Sequence, residues 1–256
     1  MNKVFFKDLG MNVAFKEAWD YQEHLLQENV RIKGWNREAT AYALNQNEIL
    51  KADEQNKSST FRIKNIPNYL LFVEHLPVYT LGKSGDASHV LINDEEREEK
   101  GIEFFKINRG GDITFHGPGQ LVGYPILDLE AFKTDLGWYL RGLEEVIILT
   151  LQEYGLIGMR SKGETGVWLD VDIAGKERKI CAMGIRCSRW ITMHGFAFNV
   201  NTDLNYFGHI IPCGIVNKQV TSLQKELGSY VSLDEVKEKV RRYFERVFDV
   251  TLNDLE

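Results

Sequence analysis

The run Tyr69-Leu70-Leu71-Phe72-Val73 is almost wholly apolar, only strand length, and turns polar at Glu74-His75. A strand with one wet face alternates apolar and polar residues, whereas a run without alternation is covered on both faces. The chain is therefore committed to a sheet with packing on both sides. A second run, Leu121-Val122-Gly123-Tyr124-Pro125-Ile126-Leu127, and a shorter one, Phe104-Phe105-Lys106-Ile107, read as further buried strands.

Between those two runs lies Arg109-Gly110-Gly111-Asp112-Ile113-Thr114-Phe115-His116-Gly117-Pro118-Gly119-Gln120, with five glycines or prolines in twelve positions. Glycines let a backbone approach a ligand closely, and Arg109, Asp112, Thr114, His116 and Gln120 offer polar groups at a strand mouth. The same composition also suits a long hairpin whose glycines satisfy unusual dihedrals.

The remaining segments supply the layers. Residues 12–31 form an amphipathic pattern that Asn12 can cap, with Val13, Phe15, Ala18, Tyr21, Leu25 and Leu26 on one stripe. Residues 38–52 read as a second helix, and 54–60 as an exposed polar loop. Residues 76–85 turn out of the sheet, so His75 and Lys83 border a site, or His75 is a satisfied core histidine. The charge run 94–100 suits a solvated helix. Thr134 or Asp135 can cap a helix with the stripe Leu136, Leu140, Leu143, Ile147 and Leu151, closing at Gly155. Residues 166–169, 179–185 and 195–200 read as strands. Ser232 and Glu235 form a capping box ahead of Val236, Val240, Tyr243, Phe244 and Val247. This order predicts one α/β or α+β domain over residues 1–256, with room for a small C-terminal lobe over 228–256.

Composition narrows the function classes. A formal net charge of −6 speaks against a nucleic-acid binder, and no apolar run reaches the length of a membrane span or signal peptide. A soluble cytoplasmic protein is expected, with a hydrophobic fraction of 43%, enough for a substantial core. Three cysteines, Cys181, Cys187 and Cys213, match no zinc-ligand spacing, so no structural metal is expected. Cys213 stands apart because Pro212 and Gly214 hold it in a constrained turn, whereas Cys181 and Cys187 lie in or near an alternating strand. A working thiol needs a nearby cation or base. His116, His194 and Lys179 are the candidates, and spacing does not choose among them.

The stretch 109–124 closely resembles the signature of the lipoyl(octanoyl) transferases. The likeness recurs at 71–82, at Thr165-Gly166-Val167-Trp168, at Lys179-Ile180-Cys181-Ala182-Met183-Gly184, at 192–200 and at Ile211-Pro212-Cys213-Gly214-Ile215, in the family's order. The resemblance implies an α+β fold, a mixed β-sheet flanked by helices like the catalytic domain of biotin and lipoate ligases. It implies transfer of an octanoyl group from octanoyl-acyl carrier protein to a lysine ε-amine on lipoyl domains, those of 2-oxoacid dehydrogenases and the glycine cleavage H protein. Cys213 would carry the acyl thioester and Lys179 would activate it. Acyl contacts would come from Arg109, Gly110, Gly111, Asp112, Ile113, Thr114, Phe115 and His116, from Ala182, Met183 and Gly184, and from Gly195, Phe196 and Ala197, with Phe115, Met183 and Phe196 walling an apolar tunnel.

No cofactor or metal is implied, since a thioester is already activated, and no membrane or nucleic-acid partner; a monomer is expected. Lys83, Arg160, Lys162, Lys176, Arg178, Arg186 and Arg189 are candidates for a basic patch facing an acidic carrier protein. The loop 170–178 looks longer than the family's. An ATP-dependent lipoate-protein ligase is the alternative with the same fold, and it would not need Cys213. A Cys/His hydrolase and a non-catalytic lipoyl-domain or carrier-binding module are the other classes.

Overall fold

The computed structural model describes residues 2–50, 63–211 and 219–255, with the backbone alone for 43 and 45–50. The proposed loop 54–60 and the Cys213 turn lie outside the described residues.

The main sheet has the order β10-β8-β9-β6-β2-β1-β11, with β7 pairing β8. Its strands are β1 (Asn2–Asp8), β2 (Asn68–Val73), β6 (Gln120–Ile126), β7 (Val167–Leu169), β8 (Arg178–Ser188), β9 (Ile191–Asn199), β10 (Gln219–Val220) and β11 (Val250–Asp254). β1 runs parallel to β2 and β11, while β2, β6, β9 and β8 pair antiparallel in turn, so the sheet is mixed. The unalternating run in β2 has the expected cause. Leu70 and Phe72 pack beneath α3 (Leu136–Gln152) and α5 (Leu233–Phe248), whereas Leu71 and Val73 pack against Leu25 and Leu26 of α1 (Phe15–Leu50) on the opposite face.

A smaller sheet, β4-β3-β5, lies apart from this one: β3 (Val78–Leu81), β4 (Glu103–Lys106) and β5 (Ile113–His116). It has its own apolar cluster, with Tyr79, Leu81, Ile113, Phe115, Phe207 and Ile210. Residues 76–85, read as a turn, thus contain a strand, and so does the glycine-rich loop. β4, expected to be buried, is an edge strand whose residues are all partly or fully exposed.

Two helix boundaries also differ from expectation. The helices expected at 12–31 and 38–52 are one helix, Phe15–Leu50. The apolar stripe fades beyond residue 31, but Gly34 lowers helix propensity without breaking the backbone ladder. Asn12 is not its cap; it sits before the helix in left-handed backbone, φ 56°. Elsewhere Asp135, Ser232 and Asn93 cap α3, α5 and α2 (Asp94–Glu99) through side-chain oxygens. At the C-terminus β11 extends the main sheet beside β1, and Val236, Val240, Phe244 and Phe248 of α5 belong to the main cluster. Among the described residues no helix is long and apolar enough to cross a membrane.

Candidate active site

A cleft partly open to solvent lies where the glycine-rich loop and β5 face β8 and β9. Its floor is made of small residues in directly paired positions, Ala182 opposite Ala197 and Gly184 opposite Gly195. The glycines are there because backbone crosses close to them. A Cβ on Gly195 would lie 2.2 Å from the Gly123 carbonyl oxygen, and one on Gly184 would lie 2.7 Å from that of Gly110.

Lys179 reaches this floor through an irregularity in β8. Val167 pairs with Cys181 but Trp168 pairs with Lys179, which leaves Ile180 as an extra residue. Side chains alternate along a strand, so Lys179 and Ala182, three positions apart, would otherwise face opposite ways; one bulged residue restores Lys179 to the cleft side. Its Nζ lies 4.5 Å from the centre of the Trp168 ring, in cation–π range. Val220 pairs with Lys179 and Gln219 with Arg178, and both β10 residues line the cleft. On the other side of residues 212–218, Ile211 donates its N–H to the His89 carbonyl at 2.8 Å. The residues on either side of 212–218 are thus anchored, Ile211 to His89 and Val220 beside Lys179.

The loop itself is stitched in place. Gly110 N–H donates to the Ile185 carbonyl on β8, and Lys83 and Ser84 donate to the carbonyls of Arg109 and Gly111. The Arg109 guanidinium, 8% exposed, donates to Thr80 O and Oγ1 at 2.6 and 2.9 Å and to Gly110 O at 3.1 Å. It shapes the loop from within as well as bordering the cleft. His89 Nδ1 donates to the Asp112 carboxylate at 2.6 Å.

Two histidines beside the cleft are held as neutral rings. His116 Nδ1 donates to Gln120 Oε1 at 2.8 Å while its Nε2 accepts from Thr80 Oγ1 at 3.3 Å. Gln120 passes the chain on to Asn199, and Asn199 to the Thr221 carbonyl. Burial, then neighbouring His75, holds the His116 pKa well below its usual range. His75 donates from Nδ1 to Val13 O and accepts from the Tyr124 hydroxyl at 2.7 Å, and burial lowers its pKa to about 4. Both are fixed orienting groups rather than proton carriers at neutral pH. Cys181 is fully buried, and burial raises its pKa far above the thiol range.

Of the expected contact residues, Arg109, Gly111, Asp112, Ile113, Thr114, His116, Ala182, Met183, Gly184, Gly195, Phe196 and Ala197 line the cleft together with Lys179. Gly110 does not line it but ties the loop to β8. Phe115, expected as a tunnel wall, turns the other way and stacks on Tyr206 at 4.5 Å in the small sheet's cluster. Met183 and Phe196 border the cleft while packing into the main core. Phe15, Ile107, Val122 and Phe207 also line it; nothing in their local sequence marks them, because they arrive from separate elements. Among the basic candidates, Arg160, Arg178 and Arg186 are engaged with Glu144 and Glu145, with Glu226 and Asp170, and with Glu23. Lys83, Lys162, Lys176 and Arg189 are exposed.

The fold is thus a mixed sheet with helices on both faces, carrying a mostly apolar cleft floored by glycine and alanine, with Lys179 in its lining. The chain belongs to the lipoyl protein ligase A/B catalytic domain family, whose profile matches residues 46–245. It is 55% identical to an octanoyltransferase of Flavobacterium psychrophilum over 98% of this chain and 100% of that one. It is 54% identical to that of Christiangramia forsetii, over 98% and 99%. Among solved structures, a lipoate protein ligase of Thermoplasma acidophilum shares the fold, with a TM-score of 0.64 at 15% identity, covering 100% of this chain and 88% of that one.

Proposed function

We propose that this chain is an octanoyltransferase that moves an octanoyl group from octanoyl-acyl carrier protein to a lysine ε-amine on lipoyl domains, through a thioester on Cys213. The observation that carries this reading is Lys179 at the head of a small-residue cleft, paired with the strand that follows the Cys213 turn. The Cys213 thiolate attacks the donor thioester, the carrier thiol leaves, and the acyl group rests on sulfur. The acceptor amine then attacks the same carbonyl, loses a proton, and expels the thiolate as the amide forms. Lys179 favours the thiolate as a cation and gives its proton to the leaving carrier thiolate; thus neutral, it takes the amine proton in the second step and is a cation again. Both half-reactions run on an activated acyl group, so no ATP is needed. The chain acts as a single cytoplasmic domain, and exposed Lys83, Lys162, Lys176 and Arg189 give an acidic carrier protein cations to meet.

Incubation with octanoyl carrier protein and peptide mass analysis should place a 1:1 adduct on Cys213. An adduct confined to Cys181 or Cys187 would overturn the assignment. Lys179→Met should slow acylation by roughly 100-fold and move iodoacetamide alkylation of Cys213 to higher pH. Pyrophosphate release from ATP with free octanoate would instead identify a ligase.

A further inference from the structure

The inner end of the cleft is not apolar. Along β9, Phe196 and Phe198 point into the main core, and His194 shares their place in the alternation. Its backbone is left-handed, φ 61°, inside an otherwise extended strand. The ring lines the cleft instead, 6.4 Å from the Tyr124 ring at 73°. The His194 N–H donates to Gln22 Oε1 of α1 at 3.1 Å, which fixes this turn of the strand. The side chain is 2% exposed, and its Nε2 has no hydrogen-bond partner among the described residues. A strained backbone that buries an unpartnered polar atom in a ligand cleft is a feature of the site, not of the core.

Its position gives it a task. Lys179, which is partly exposed, and His194, which is buried and paired with Ile185, lie at opposite ends of the floor. From Lys179 to Gly184 the lane measures about 15 Å at the usual rise of a strand. On the octanoyl-transfer reading the lysine side chain and the thioester take the first part of this lane, and an extended eight-carbon chain, about 10 Å or three strand residues long, reaches from there to the imidazole.

We propose that His194 reads the end of the acyl chain, closing the lane at about eight carbons and offering Nε2 to a polar atom carried there. This rests on the octanoyl-transfer reading for the direction of the chain. A longer hydrocarbon must press methylenes onto an unpaired ring nitrogen, whereas a hydroxyl at that depth pairs with it. Burial lowers the ring's pKa to about 3, so it acts as a neutral hydrogen-bonding group.

The test compares chains on the intact protein. Nonanoic and 8-hydroxyoctanoic acids have equal numbers of heavy atoms, and their binding by calorimetry needs no chemistry at Cys213. The hydroxy acid should bind at least as tightly as nonanoic acid, and decanoic acid roughly 10-fold more weakly than octanoic acid. Rejection of the hydroxy acid by about 10-fold would show an apolar end wall and overturn the proposal. His194→Asn keeps a residue tolerant of left-handed backbone and shortens the cap. It should raise the decanoyl-to-octanoyl ratio roughly 10-fold, in binding and in single-turnover acylation by the pantetheine thioesters. An unchanged ratio in the folded variant would overturn it. Normal chain-end discrimination in binding without a Cys213 adduct would refute the transfer reading and leave the end-reading intact.

Discussion

Glu144 is a carboxylate with no exposed surface on a helix that otherwise reads as an apolar stripe. It pairs with Arg141 at 2.7 Å and Arg160 at 3.0 Å, and accepts the N–H of Gly166 at 3.1 Å. Gly166, at φ 108°, is the bend that leads into β7, whose Trp168 pairs with Lys179 and lies under its ammonium. The acid therefore acts on the site through two residues it does not resemble. Gly184 and Gly195 are reached through the family resemblance, and close backbone crossings are why they are glycine; Glu144 is missed because a glutamate in a helix looks like surface. Glu144→Ala leaves the buried Gly166 N–H without its acceptor, while Arg141 and Arg160 are partly exposed and Arg160 keeps Glu145, so it should cost roughly 1–3 kcal/mol in urea unfolding. It should also slow acylation by more than the stability loss explains at temperatures where the variant is folded. Glu144→Gln keeps the Gly166 bond and should recover much of that rate. Equal rates for wild type and the alanine variant would separate Glu144 from the site.

At the scale of elements, strands that are buried on both faces were legible, since β2 and β6 have no alternation to hide. Features made by one extra or one inverted residue were not. The bulge in β8 has no glycine to mark it, and the β8–β9 hairpin turns through Arg189 and Trp190, at φ 49° and 67°, where such two-residue turns usually use asparagine and glycine. Tertiary bonds hold that turn: the Arg189 carbonyl accepts Lys33 Nζ at 2.8 Å and the Trp190 carbonyl accepts the Leu129 N–H at 2.8 Å. Lys33, 4% exposed, also meets Asp128 at 2.6 Å, so one side chain of α1 pins the hairpin end and the strand-end loop together. Lys33→Met leaves Asp128 buried without its cation and should destabilise by roughly 3–5 kcal/mol. Hydrogen exchange should rise first at 188–191 and 128–130. Uniform loss of protection across the sheet would mean that α1 is pinned elsewhere.

The whole molecule encloses three imidazoles, His75, His116 and His194, at the junction of its two sheets, each with a pKa held below 6.5 by burial first of all. In the unfolded chain each takes a proton near pH 6.5; in the folded chain His75 resists until about pH 4 and His194 until about pH 3. The unfolded state thus binds more protons between these limits, and stability rises with pH there. It is fully present above pH 6.5 and is lost as the pH falls. Each histidine contributes a slope of up to about 1.4 kcal/mol per pH unit, so three together reach about 4 kcal/mol per unit. Against a typical total of about 5–15 kcal/mol, that slope brings the chain to its unfolding threshold one to a few units below pH 6.5. Burial also raises the pKa of Glu144, which opposes the trend only nearer the carboxylate range. Urea unfolding at pH 7.5, 6.5 and 5.5 should show little change over the first step and a loss of several kcal/mol over the second. His75→Gln should unfold with about two thirds of the wild-type slope, since one proton uptake is removed. A flat profile down to pH 5.5 would mean that the folded chain protonates these rings. The cleft that depends on a neutral His194 would then carry charge at its inner end.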